Sequence, residues 1–112
     1  MSMRFHRTRL ITISIIAVWF LAMAYFIFNT IRQNYLDSQL LSSIEYSGGK
    51  PEYAKGYLDA GADIECRDYR GDTPLLEAVG YVHVKIVDLL LERKANVNAV
   101  NNTGITPLIT QL

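Results

Sequence analysis

Gly48-Gly49-Lys50 is the stretch of this chain that comes nearest to a phosphate loop, in which backbone amides and a lysine cradle a polyphosphate and a hydroxyl binds magnesium. Ile44 stands where the first glycine of such a loop belongs and Pro51 where Ser or Thr belongs, so that chemistry is excluded. His6 and His83 could ligate a metal or move a proton, but they lie far apart and have no companion cysteines at ligand spacing. Cys66 is the single cysteine: it forms no intrachain disulfide, it could pair between chains in an oxidising compartment, and it reads as a loop thiol. Asn101-Asn102-Thr103 fits a glycosylation acceptor and fits better a turn built from Asn and Gly. No residue is assigned a catalytic, cofactor-binding or metal-ligating role. The expectation is a binding protein without cofactor, not an enzyme.

The elements that would position these residues repeat. Gly71-Asp72-Thr73-Pro74-Leu75 returns 33 residues later as Gly104-Ile105-Thr106-Pro107-Leu108, and Gly61-Ala62-Asp63-Ile64 returns at the same offset as Lys94-Ala95-Asn96-Val97. A fixed period of this length marks a solenoid whose units bury their apolar faces by stacking on one another.

From Asp68 to Val97 the chain reads DYRGDTPLLEAVGYVHVKIVDLLLERKANV. This resembles the ankyrin repeat family, with its D-x-x-G-x-T-P-L-H-x-A start and its I-V-x-L-L-L-x-x-G-A-x-V-N second helix. A degenerate earlier copy carries Leu40, Leu41 and Ile44 on one helix and Tyr53, Tyr57 and Leu58 on a second, and a third copy starts at Thr106. The resemblance implies an all-α fold built of helix-turn-helix units joined by β-hairpin tips, a structural role for His83, and a protein partner held at the tips and the exposed face of the first helices. The tip residues so implied are Arg67, Tyr69 and Arg70, then Val100, Asn101 and Asn102. Tyr69 and Arg70 stand first among them, because Tyr and Arg are favoured hot-spot residues.

Local chemistry agrees. Thr73-Pro74 is a helix start, with a hydroxyl to cap free amides and a proline at the first helical position. Val84, Val87, Leu90 and Leu91 fall at helical spacing, Ile86 and Leu89 widen the stripe, and Asp88, Glu92 and Arg93 take the wet side. Gly61 ends a helix where a left-handed residue is needed. The chain departs from the family pattern at Lys94 and Val82, which replace glycines, and at Leu76, which replaces histidine and removes a Thr–His bond between helix starts.

Leu10 to Phe28 is a run of 19 residues without charge, with Thr12 and Ser14 as its polar members and Tyr25, Phe26 and Phe28 near its far end. At about 1.5 Å per residue it reaches roughly 28 Å, the thickness of a bilayer core. Arg4, Arg7 and Arg9 precede it, and all 11 acids follow from Asp37 onward. Arginine-rich flanks stay cytoplasmic. The acidic remainder gives no basis for nucleic-acid binding.

The expected organisation is a basic leader (1–9), a transmembrane signal-anchor (10–28), a linker (29–36) and repeats over 37–112: degenerate at 37–68, well formed at 69–101, cut short at 102–112. The expected protein is single-pass, with a cytoplasmic N-terminus and periplasmic or extracellular repeats. It contacts lipid through 10–28, binds a protein partner and has scope for self-association. Cleavage after Ala24, giving an exported soluble protein that regulates or protects a periplasmic enzyme, and a truncated product without independent function are the alternative readings.

Overall fold

The structure is a computed structural model that describes residues 2–107, with side chains from residue 7. His6 and residues 108–112 of the third copy therefore lie outside the described side chains. Four helices follow in order: α1 (Ser2–Tyr46), α2 (Pro51–Asp59), α3 (Pro74–Gly80) and α4 (Val84–Glu92). No strand forms among the described residues. The expected β-hairpins are tight loops, each closed by too few main-chain bonds to make a ladder.

The chain divides into two units, residues 1–32 and 33–112. In the first, the apolar run is helical and its side chains are exposed, Trp19, Phe20 and Leu21 to 68%, 73% and 71%. By length and composition this helix can cross a membrane. The polar hydroxyls in it turn inward on the helix, Thr12 donating to the Thr8 carbonyl at 2.6 Å and Ser14 to the Leu10 carbonyl at 2.8 Å.

In the second unit α1 supplies Leu36, Leu40 and Ile44, buried at four-residue spacing on one face. The segment expected as a linker, 29–36, is helix throughout, as befits a stretch without Gly or Pro. It already carries structural bonds: the Gln33 amide donates to the Gly61 carbonyl at 3.0 Å, and Asp37 accepts the Asp63 amide at 2.8 Å. Ala54 of α2 and Ala78 of α3 are fully buried, small residues that let helices approach.

Thr73 caps α3 as expected, accepting the Leu76 amide at 3.3 Å, with Pro74 at the first position. In α4 the expected stripe is corrected at one place. Ile86, Val87 and Leu90 are buried, whereas Val84 is 54% exposed, because at the first helical position it has no preceding turn to lie against. Arg93, placed on the wet side, pairs with Asp59 at 2.6 Å.

Three helices end in the same way. After α2, Gly61 and Ala62 donate to the carbonyls of Leu58 and Tyr57; after α3, Val82 and His83 donate to Val79 and Ala78; after α4, Lys94 and Ala95 donate to Leu91 and Leu90. Each is a Schellman end, which requires a left-handed residue after the cap. The three residues have φ of 108°, 57° and 63°, and only the first is glycine.

Candidate protein-binding surface

The two loop tips have the same construction. In the first, the Asp68 amide donates to the Asp72 carbonyl (3.1 Å), the Gly71 amide to the Asp68 carbonyl (3.0 Å), and Asp68 Oδ1 accepts the amides of Arg70 (2.8 Å) and Asp72 (2.9 Å). In the second, Asn101 takes the place of Asp68. Its amide donates to the Ile105 carbonyl, Gly104 donates to the Asn101 carbonyl, and Asn101 Oδ1 accepts the amides of Thr103 and Ile105. Gly71 and Gly104 are left-handed at φ 77° and 80°. At Gly71 a Cβ would also meet the Asn102 backbone nitrogen at 3.0 Å, so glycine is required twice over.

The tips are stitched to each other. Asn102 donates its amide to the Arg70 carbonyl (3.0 Å) and its side chain to the Tyr69 carbonyl (3.3 Å), Asn101 Nδ2 donates to Asp72 Oδ1 (2.8 Å), and Arg67 Nη1 donates to the carbonyls of Gly71 (2.9 Å) and Val100 (2.7 Å). Of the six residues expected to face a partner, Arg67, Asn101 and Asn102 thus spend donors inside the protein. Asn101, with amide and carbonyl oxygen both engaged, is held as a turn residue. Tyr69 is 85% exposed, Val100 is exposed, and Arg70 lies over the Tyr69 ring at 5.2 Å, with its Nε 3.8 Å from Asp68.

Beneath the first tip lies a cluster that the sequence reading did not single out. Carboxyl oxygens of Asp68, Asp72 and Glu77 come within 4.8 Å of one another, and Glu77 is buried. The only hint of it in the sequence is three acids within ten residues of a helix start. Burial, then the hydrogen bond to Asp68 and the charges of Asp68 and Asp72, push the Glu77 carboxyl up to about 7, with Arg70 opposing. Burial alone would raise Asp68 as well, but the proton of Glu77 and the amides of Asp72 and Arg70 outweigh it and hold Asp68 below the ordinary carboxylate value. The amides of Arg70 and Asp72 reach one Asp68 oxygen and the Asn101 side chain reaches one Asp72 oxygen, so donors of the protein itself solvate part of the cluster.

Cys66 is buried, with Sγ 3.8 Å from the Asp37 carbonyl. Burial first, then the charges of Asp37 and Asp63, push its thiol up to about 12, so it is protonated and shielded. His83 precedes α4 and stacks on Tyr81 at 5.7 Å.

Residues 41–110 match the family described as ankyrin repeats in three copies. The chain belongs to the ankyrin repeat family. Ankyrin repeats are protein-interaction modules, and the first tip of this one carries an aromatic ring and a guanidinium group together into solvent. Among its relatives, the Neurogenic locus Notch protein of Drosophila melanogaster is 44% identical over 61 residues, which is 54% of this chain and 2% of that protein. The ankyrin repeat-containing protein P1E11.10 of Schizosaccharomyces pombe is 35% identical over 65 residues, 58% of this chain and 31% of its own length. An L-asparaginase of Dirofilaria immitis is 39% identical over 62 residues, 55% of this chain and 10% of that protein. The chain spans less than a third of each, so these likenesses speak for the ankyrin repeat and not for the activity of the larger proteins.

Proposed function

We propose that the chain is a membrane-anchored ankyrin module that engages a protein partner through Tyr69, Arg70 and Val100, on the non-cytoplasmic side of a bilayer spanned by residues 10–28. The observation that carries the binding reading is the tip itself. Its backbone is bonded on both sides, yet it holds Tyr69 almost fully in water with Arg70 stacked on it. A preorganised aromatic–guanidinium pair loses little freedom on binding.

The anchoring half of the reading rests on the run of exposed apolar side chains along residues 10–28, far more than water tolerates on one helix. Its direction rests on Arg4, Arg7 and Arg9. Alkaline phosphatase joined after Leu112 is expected to be active and membrane-bound. Activity released in soluble form would mean cleavage after Ala24, and an inactive fusion would overturn the orientation. A photocrosslinking residue at Tyr69 is expected to capture a protein from native membranes, whereas the same residue at exposed Glu52 is not. Equal capture at both would remove the tip as the binding site.

A further inference from the structure

Glu77 carries a carboxyl group into the base of the first tip, where it is only 8% exposed and faces two other carboxyls. Those two have donors of their own: Asp68 Oδ1 takes the amides of Arg70 and Asp72, and Asp72 Oδ1 takes the side-chain amide of Asn101. Three carboxylates at this spacing resist ionising together, and Glu77, buried and without such a donor among the described residues, holds its proton longest. We propose that Glu77, Asp68 and Asp72 form a proton-operated latch that holds the 68–72 tip against the start of α3 and, through Asn101, against the tip that follows.

With its proton, Glu77 is a donor to Asp68, the residue that shapes the tip. When Glu77 gives that proton up to water, a third, buried negative charge stands against Asp68 and Asp72. The contact that joined helix to tip becomes repulsive. Among the described residues, the groups that act on Glu77 are Asp68, Asp72 and the Arg70 guanidinium on the tip, and the Tyr81 hydroxyl just past the end of its own helix. The loop Asn101 to Ile105 contains no charged residue, and Lys85, Asp88 and Glu92 of α4 are all exposed. Arg70 offsets part of the repulsion but is itself exposed and 3.8 Å from Asp68. With the carboxyl of Glu77 pushed up to about 7, the latch changes state near neutral pH. Above that, the tip loosens and Tyr69 and Arg70 lose their fixed geometry.

Amide hydrogen exchange on the full chain in mild detergent tests this at pH 6 and pH 8, each rate divided by its intrinsic value. The probes are the amides of Arg70, Asp72 and Asn102. The reference is the amide of Ala95, bonded to the Leu90 carbonyl away from the cluster. Relative to Ala95, protection of the three tip amides is expected to fall about tenfold between these pH values, because the open form carries a carboxyl of ordinary acidity. Glu77→Gln keeps a donor at the same place and is expected to abolish the fall. Asp72→Asn removes one facing charge and is expected to move the midpoint down. Wild-type tip amides that follow Ala95 at both pH values would overturn the latch, as would a Glu77→Gln chain that loses protection like the wild type. A Glu77 carboxyl titrating near 4.5 by carbon NMR would overturn it independently of any variant.

Discussion

Arg67 donates to the main-chain carbonyl of Val100, the residue that occupies Arg67's own position one repeat later, at 2.7 Å. The same nitrogen donates to the Gly71 carbonyl at 2.9 Å. One side chain therefore closes its own tip and fastens the next, which is a nearest-neighbour interaction of the kind that stabilises stacked repeats. Arg67→Ala is expected to destabilise the repeats by about 1–2 kcal/mol, the range for hydrogen bonds from a charged donor at a partly exposed site. Chemical denaturation in mild detergent measures it. A loss no larger than that of Lys55→Ala, an exposed residue of α2, would show that the bonds contribute nothing net.

Val82 and Lys94 hold left-handed positions that suit glycine. Lys94→Gly is expected to stabilise by about 1 kcal/mol, and Val82→Gly by somewhat more, since a β-branched side chain is the least tolerant of positive φ. Both residues are exposed, so little packing is given up. Gly71→Ala should act oppositely, losing about 1–2 kcal/mol by backbone strain and its approach to Asn102. A destabilising Val82→Gly in the same denaturation series would show that the α3 end has another source of stability.

Stability should fall as pH rises through neutrality. Glu77 has a folded value near 7, above its ordinary 4.5, so its favourable contribution is complete below about 4.5 and is lost as pH climbs through 7. Asp68 is held low, so its contribution is present above its ordinary 3.8 and is lost on acidification below that value. Between pH 5 and 8 only the first effect operates, and it should amount to about 2 kcal/mol. Denaturation midpoints at the two pH values, for the wild type and for Glu77→Gln, check this. A flat wild-type profile contradicts it.

Cys66 should resist thiol reagents in the folded chain. With the thiol pushed up to about 12 and the sulfur buried, reaction at pH 8 is expected to be at least about a hundredfold slower than in denaturant. Labelling rates with a maleimide provide the comparison. Equal rates would mean that the loop between α2 and α3 opens freely, and would restore pairing between chains as an outcome for this cysteine.

Much of the repeat was legible from local signals. The Thr73-Pro74 start, the glycine at 61 and the left-handed demand at Lys94 all act within one helical turn, and a 33-residue period shows where each turn recurs. The apolar span was legible for the same reason, since its length and composition need no partner to be read. Val84 was misplaced because periodicity marks a stripe without marking where the helix begins. The helix running through 29–36, the Gln33 and Asp37 bonds and the burial of Glu77 were not legible, and neither was the use to which Arg67, Asn101 and Asn102 are put. Polar residues in a loop look alike in a sequence. Whether a donor there is left for a partner or consumed at home depends on groups some 30 positions away, such as Val100 for Arg67 and Asp72 for Asn101. Capping and periodicity are properties of neighbouring residues. The remaining free side chains, and the carboxyl that must keep its proton, are set only when one repeat is laid on the next, because stacking removes water from some polar atoms and supplies protein partners to others.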